Sequence, residues 1–151
     1  HGADVSEVIK RLRKITSAPV WLIGHSRGSI SATNAASRLA PPAGPDGIIL
    51  MSSVVITGNK GQDSVHNTNL KSIKVPTLIY HHKSDGCYVT QWSDAKSLEK
   101  KLTASIEVKT IGVTGGSFGK AGQECKSNSH HGFKGMLEEA VSQVADWIKS
   151  R

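Results

Sequence analysis

Aromatic residues, cysteines and long apolar runs are all scarce in this sequence. No apolar stretch approaches the roughly 20 residues that a transmembrane helix needs, and no signal-peptide pattern is present. Aromatic residues make up only 5% of the chain, and nucleic-acid surfaces typically combine aromatic with basic side chains. We therefore expect no membrane span and no nucleic-acid partner.

The two cysteines, Cys87 and Cys125, are too few for a fold built on disulfides. They suffice for one bridge or for part of a metal site. No close C-x-x-C or H-x-x-x-H spacing favours zinc. At this point both uses of the thiols remain open.

The formal net charge of +7 comes from lysines and arginines spread along the chain, with no block of five or six. This distribution favours a solvated basic face over a nucleic-acid site, and it leaves anionic surfaces or substrates open through long-range attraction. With 151 residues and 37% hydrophobic content, the chain is long enough for one globular domain over 1–151. Because it begins at His1 and not at Met, we expect a processed or truncated product.

Hydrophobic periodicity predicts strands that alternate with helices. Helices are expected over 3–15, 29–39, 90–103 and 133–149, and strands over 20–23, 48–53, 77–82 and 105–113. Two polar segments, 57–72 and 115–131, are expected to be loops. The alternation predicts an α/β fold, with a mostly parallel sheet of about four strands and helices on both faces. In such sheets, the functional site lies at the carboxyl ends of the strands.

The stretch 24–28 reads G-H-S-R-G, and it lies between an unbroken apolar strand and an Ala- and Ser-rich helix. Strand, sharp turn and helix are the context of a nucleophile elbow. Gly24 and Gly28 would let the two backbones approach closely. Ser26 would then project from the turn near the positive end of the helix dipole. The simpler alternative is an ordinary turn in which Ser26 caps the helix.

Two further motifs extend the pattern: H-H-K-S-D-G-C over 81–87 follows a strand, and H-G-F over 131–133 precedes the last helix. With the elbow, they place a serine, an acid and a histidine in the chain order of the α/β-hydrolases. Over its whole length, from residue 3 to its end, the sequence resembles that superfamily. Within it, the chain is similar to small exported bacterial hydrolases with one Cys near the acid and another before the histidine.

The resemblance implies a catalytic triad. Ser26 would attack an acyl carbonyl, His131 would accept its proton, and Asp85 would orient the imidazole. The backbone N–H of Arg27 would bind the oxyanion. For Asp85, the alternative is a turn-forming residue before a glycine.

Other histidines compete for the role of the base. His130 is adjacent to His131, but H-G-F is the pattern of the superfamily, which favours His131. His25 is expected to support the elbow, and either His81 or His82 could face the pocket. A zinc site built from the two cysteines and one of these histidines is the less favoured alternative, so we expect no metal and no cofactor.

If Asp85 and His131 meet, then Cys87 and Cys125 come into one neighbourhood. We therefore predict a Cys87–Cys125 disulfide that joins the two catalytic loops. Such a bridge would imply an oxidising compartment, with the protein periplasmic or secreted.

The superfamily normally has several strands before the first helix seen here. The chain is therefore expected to resemble the C-terminal part of the fold and to lack a second oxyanion donor that can be named. The strand over 20–23 would expose an apolar edge. We expect this edge to pair with another chain or with a missing N-terminal segment.

The leading hypothesis is a serine hydrolase that cleaves a small-molecule carboxylic ester through an acyl-enzyme. The alternatives are a non-catalytic binding module of the same fold and an inactive fragment of a larger hydrolase. The polar loops over 57–72 and 115–128 hint at short-chain or polar esters.

Overall fold

The computed structural model describes residues 2–56 and 63–151 as one layered α/β unit. Its main elements, in chain order, are α1 (Gly2–Ile15), β1 (Trp21–His25), α2 (Gly28–Arg38), β2 (Gly47–Met51), β3 (Thr77–His82), α3 (Trp92–Ala95), β4 (Val108–Val113) and α4 (Leu137–Lys149). The alternation of strands and helices agrees with the predicted α/β class. No helix in the described part of the chain is long and apolar enough to span a membrane.

The four strands form one parallel sheet in the order β1-β2-β3-β4. Strand β2 is buried along its whole length, and its side chains alternate between the two faces of the sheet. Ile48 and Leu50 join the core beneath α2 and the segment that follows α3. Ile49 and Met51 join the core beneath α4. Burial on both faces explains why this strand is an unbroken apolar run.

Two elements, the last helix and β2, are shorter than predicted because of the backbone conformation at one of their ends. The last helix begins at Leu137 and not at 133, because Phe133 and Gly135 have φ angles of 56° and 77°, which a right-handed helix cannot accommodate. Likewise, β2 ends at Met51 because Ser52 has a φ of 43°. Both interruptions lie at the carboxyl edge of the sheet.

Three other segments differ in detail from the predictions. The helix expected over 90–103 is the single turn of α3 followed by a 3-10 helix, Lys96–Lys101. Strand β4 starts at Val108 because the pairing with β3 begins there. In the expected loop over 57–72, residues 57–62 lie outside the described residues. The rest of that loop holds two short 3-10 helices whose Val65 and Leu70 are buried.

Strand β1 lies at one end of the sheet and, among the described residues, pairs on one side only. Ile23, in the middle of this strand, is 57% exposed. A groove of about 450 Å³ lies between it and the apolar side chains of α4. The predicted apolar edge is therefore observed, whereas its pairing with a further strand stays a prediction.

Candidate active site

The three residues of the predicted triad lie near the carboxyl edge of the sheet. Ser26 directly follows β1, Asp85 lies three residues after β3, and His131 is in the long connection between β4 and α4. A parallel sheet brings these strand ends to the same edge. This shared edge explains how Asp85 and His131, 46 residues apart in the sequence, come into contact.

The turn after β1 has the backbone of a strained elbow. Ser26 has a φ of 52°, a left-handed conformation that is uncommon for residues other than glycine. Its N–H donates to the Met51 carbonyl at 2.9 Å, which fixes the turn to the end of β2. A Cβ added to Gly24 would lie 2.4 Å from the Gly28 carbonyl oxygen. Glycine is therefore required at position 24 for the close approach of strand and helix.

Gly28 differs from its partner glycine. A Cβ added there would meet no described atom within 4 Å. The close approach that we predicted for both glycines therefore depends on the absence of a side chain at Gly24 alone. Gly28 contributes to it through its carbonyl group.

Asp85 is buried and uses both of its carboxylate oxygens. Oδ1 accepts a hydrogen bond from the Cys87 N–H at 3.0 Å. Oδ2 lies 3.0 Å from His131 Nδ1 and accepts the Thr90 hydroxyl at 2.9 Å. His81 Nε2 is 3.5 Å from the same oxygen. The carboxylate thus receives donors from its own turn, from β3 and from the histidine loop.

These donors control the ionisation of Asp85. Burial by itself raises the pKa of the carboxyl group, because it disfavours the charged form. Hydrogen bonds from His131, His81 and the Cys87 amide together outweigh burial and hold the pKa of Asp85 well below its usual range. Asp85 is therefore a carboxylate at neutral pH, as an acid that orients an imidazole must be.

His131 is 2% exposed and is held through its backbone as well as its ring. Its N–H donates to Ser129 Oγ at 3.2 Å. Its carbonyl oxygen accepts the Ser52 hydroxyl at 2.8 Å and lies 2.8 Å from His25 Nε2. Because a carbonyl only accepts, His25 bonds as the Nε2–H form. No sequence motif indicates the contact of Ser52 or His25 with this carbonyl.

His25 also links the serine side of the site to the histidine side. Its ring centroid lies 5.0 Å from that of His131, and Ser26 is the next residue in the chain. Burial lowers the pKa of His25, although the bond to the His131 carbonyl opposes that shift. His25 therefore contacts the histidine loop, and its predicted support of the elbow stays a prediction.

The other histidines have separate partners. His130 Nδ1 contacts the Ser84 carbonyl at 3.1 Å, and its ring stacks on His82 at a centroid distance of 4.1 Å. His82 Nε2 bonds to the Gly115 carbonyl at 2.9 Å. The structure therefore brings His131, and not His130, to Asp85. Of the pair at the end of β3, it is His81 that contacts the carboxylate.

The structure contains the predicted Cys87–Cys125 disulfide, with a Cα–Cα distance of 4.6 Å. Cys87 lies two residues after Asp85, and Cys125 lies six before His131. The bridge therefore joins the acid turn to the histidine loop. Both sulfurs are bonded to each other, so neither is a thiolate ligand while the disulfide is intact.

Thr90 was not recognised in the sequence, yet its side chain lies between the acid and the histidine. It is fully buried, with Oγ1 2.9 Å from Asp85 Oδ2 and 3.2 Å from His131 Nδ1. Threonine is common at such turns, and only the fold brings residue 131 next to residue 90. No motif could have revealed this contact.

Ser26 has the freest side chain of the predicted triad. Within residues 2–56 and 63–151, its hydroxyl makes no hydrogen bond, whereas Asp85 and His131 are both bonded. Arg27 directly precedes α2, and the first N–H groups of a helix have no acceptor inside it. The backbone N–H of Arg27 and the unbonded hydroxyl of Ser26 are therefore neighbours at the elbow.

No protein-family model and no curated protein matches this sequence. Solved structures do share its fold. An α/β-hydrolase enzyme from a Medee basin deep-sea metagenome library has a TM-score of 0.64 at 18% identity, over 99% of this chain and 63% of its own. A serine hydrolase homologue from Coxiella burnetii has a TM-score of 0.59 at 15% identity, over 99% of this chain and 57% of its own.

The esterase domain of a Rhodothermus marinus protein gives a TM-score of 0.53 at 14% identity, over 77% of this chain and 58% of that domain. The chain therefore has the fold of the α/β-hydrolases, which confirms the predicted resemblance at the level of the fold. It spans less than two thirds of the length of each of these three structures.

Proposed function

We propose that this protein is a serine hydrolase that cleaves carboxylic esters. The observation that carries the proposal is the buried pair of Asp85 Oδ2 and His131 Nδ1, 3.0 Å apart, next to an elbow that holds Ser26 in a left-handed turn. A paired carboxylate and imidazole beside a strained serine is the arrangement of a base-activated nucleophile. The hydrolase and esterase names of the similar structures support the same reaction class.

The proposed reaction begins when Ser26 Oγ attacks the ester carbonyl carbon. His131 Nε2 takes the hydroxyl proton as the new C–O bond forms, and Asp85 stabilises the resulting imidazolium. The carbonyl oxygen becomes an oxyanion, which the Arg27 N–H and the N-terminus of α2 would stabilise.

Collapse of the tetrahedral intermediate breaks the bond to the alcohol oxygen. That oxygen takes the proton from His131, and the acyl group remains on Ser26. A water molecule then attacks the acyl carbon while His131 accepts its proton. The carboxylic acid leaves, Ser26 recovers its proton, and no cofactor takes part.

The proposed substrates are small esters with short or polar groups. The connection over 115–128 is rich in glycine and polar residues, and most of its side chains are exposed. Phe118 is its one large apolar side chain, so the connection offers little of the surface that would hold a long acyl chain. The other predicted loop over 57–72 lies partly outside the described residues.

We also propose that the protein works in an oxidising compartment, in the periplasm or outside the cell. The support is the disulfide between Cys87 and Cys125, since structural disulfides persist where thiols are not kept reduced.

Hydrolysis of p-nitrophenyl acetate by the wild-type protein and by Ser26→Ala tests the function. We expect Ser26→Ala to lose activity, because the proposed acyl-enzyme forms on Ser26 Oγ. The matched control is Ser31→Ala, which removes a serine of α2 outside the proposed machinery and should leave the rate unchanged.

Equal rates for Ser26→Ala and the wild-type protein would contradict the proposal. A folded wild-type protein that hydrolyses neither acetate nor butyrate esters would instead support the non-catalytic binding module.

A further inference from the structure

The hydroxyl of Thr90 occupies an unusual place in the candidate site. Thr90 is fully buried, and its N–H donates to the Cys87 carbonyl at 3.0 Å, which closes the turn that follows Asp85. This turn directs the side chain back toward the carboxylate and the imidazole. Thr90 therefore contacts both members of the pair, although it is five residues from Asp85 and 41 from His131.

The hydroxyl proton of Thr90 has one favoured acceptor. Asp85 Oδ2 lies 2.9 Å away, whereas the Cys87 carbonyl is at 3.4 Å. A carboxylate is also the stronger acceptor, since bonds to an ionised group are shorter and stronger. The low pKa of Asp85 keeps that group ionised. Thr90 Oγ1 therefore donates to Asp85.

This donation leaves a lone pair of Thr90 Oγ1 facing His131 Nδ1 at 3.2 Å. The ring nitrogen then faces two acceptors, because Asp85 Oδ2 is at 3.0 Å. A neutral imidazole with a bare Nδ1 would place lone pair against lone pair at both contacts. A proton on Nδ1 satisfies both, and the free lone pair then belongs to Nε2.

His81 holds Thr90 in this position from the other side. Its Nε2 lies 2.5 Å from the Thr90 carbonyl oxygen, and both residues are fully buried. Since the carbonyl only accepts, this nitrogen carries a hydrogen. The backbone of Thr90 is therefore fixed to β3, and the β-branched side chain has few rotamers to choose from.

We propose that Thr90 is a positioning residue that, together with Asp85, sets the Nδ1–H tautomer of His131. The effect of this tautomer on catalysis rests on the function proposed above. Only the Nδ1–H tautomer has an unprotonated Nε2 that can take a proton from Ser26. Thr90 itself touches no reacting atom. It acts through Asp85 and His131.

The test compares Thr90→Val, which is nearly isosteric but has no hydroxyl, with Thr90→Ser, which keeps the hydroxyl. The first readout is the long-range ¹H–¹⁵N spectrum of the imidazoles at neutral pH, with the His131 signals assigned from a His131→Gln variant. We expect Thr90→Ser to keep the Nδ1–H pattern of the wild-type protein. Thr90→Val should show a mixture of the two tautomers.

The second readout is ester hydrolysis. We expect Thr90→Val to lower kcat by about 10- to 100-fold with little change in KM, because misplacement of a base costs that much. Thr90→Ser should recover most of the rate. If Thr90→Val does not fold, as judged by circular dichroism, Thr90→Ala replaces it as the variant without a hydroxyl.

An unchanged His131 spectrum and kcat in the variant without a hydroxyl would overturn the proposal. The imidazole spectrum also tests the role of Thr90 independently of the proposed ester hydrolysis. If the wild-type protein hydrolyses no ester, the proposed function fails, yet the imidazole signals still show whether Thr90 sets the tautomer.

Discussion

The two sides of the candidate site differ in how firmly they are held. On the acid–base side, Asp85 and His131 are buried, and hydrogen bonds hold the Asp85 carboxylate and the Nδ1 and backbone N–H of His131. On the serine side, Ser26 follows a strand at the end of the sheet. Ile23 of that strand is 57% exposed, beside an apolar groove of about 450 Å³.

This difference shows which part of the proposed catalytic site is already held in place by the fold. Dipoles that are fixed before the reaction need not reorient during it, which is where most electrostatic catalysis arises. The acid–base side meets that condition. The serine side depends on one strained turn and on the hydrogen bond from Ser26 to β2.

The largest expected effect comes from the centre of the acid–base side. Asp85→Asn keeps the size of the side chain but removes its charge, so that the amide no longer stabilises the imidazolium or selects the Nδ1–H tautomer. We expect kcat to fall about 10⁴-fold, as for the equivalent change in a serine protease triad. Steady-state ester hydrolysis measures this.

Asp94→Asn is the matched control, because Asp94 lies on α3 and is outside the proposed triad. A loss below tenfold in Asp85→Asn would contradict the role given to the carboxylate. It would also remove the contrast between the two sides of the site.

The second effect tests the covalent link of the acid–base side. Replacing Cys87 and Cys125 together by alanine opens a loop of 38 residues. We expect the free energy of unfolding to fall by about 3–4 kcal/mol in the chain-entropy model. Urea denaturation under non-reducing conditions measures the change.

Reductant should destabilise the wild-type protein by a similar amount and leave the double variant unaffected. If the double variant is as stable as the oxidised wild-type protein, the disulfide does not stabilise this side.

A smaller effect is expected at the His131 carbonyl. Ser52→Ala removes a buried hydrogen bond of 2.8 Å to that oxygen, and we expect a loss of stability of about 1–2 kcal/mol. The neighbouring Ser53 is the matched control. It is equally buried, but its hydroxyl has no partner among the described residues.

Ser53→Ala should therefore be neutral or slightly stabilising. Thermal and urea unfolding of the two variants decide the point. Equal losses for both would show that the bond from Ser52 to His131 contributes nothing of its own.

The smallest effect is expected in mild acid. Burial lowers the pKa of His82 in the folded protein, so the unfolded chain binds more protons as the pH falls through the ordinary histidine range. Neutral His82 therefore makes its full contribution to the free energy of unfolding above about pH 6.5, and this contribution declines as the pH falls below that value. His82→Gln should reduce this decline in the free energy of unfolding between pH 7 and pH 5. Urea unfolding at each pH measures it. The same pH dependence in the variant and the wild-type protein would contradict the prediction.

The sequence predicts the sheet because hydrophobic periodicity is a local pattern. The candidate triad comes from motifs that resemble those of the α/β-hydrolases, and it stays a prediction. An unbroken apolar run marks β2, and the spacing around Gly24 and Ser26 marks the elbow. The contacts of Thr90, His81 and Ser52 could not be predicted, because they depend on how different strand ends meet across the sheet. The start of α4 at Leu137 also could not be predicted, because hydrophobic periodicity does not indicate the left-handed backbone conformation of Phe133.

The most direct test of the account is whether Ser26 is an activated nucleophile. A fluorophosphonate probe forms a covalent adduct with base-activated serines, and peptide mapping by mass spectrometry locates it. We expect one adduct on Ser26 in the wild-type protein and labelling at least about 10³-fold slower in His131→Gln, which lacks the general base. Folded wild-type protein without an adduct on Ser26, or equal labelling of the two proteins, would contradict the account.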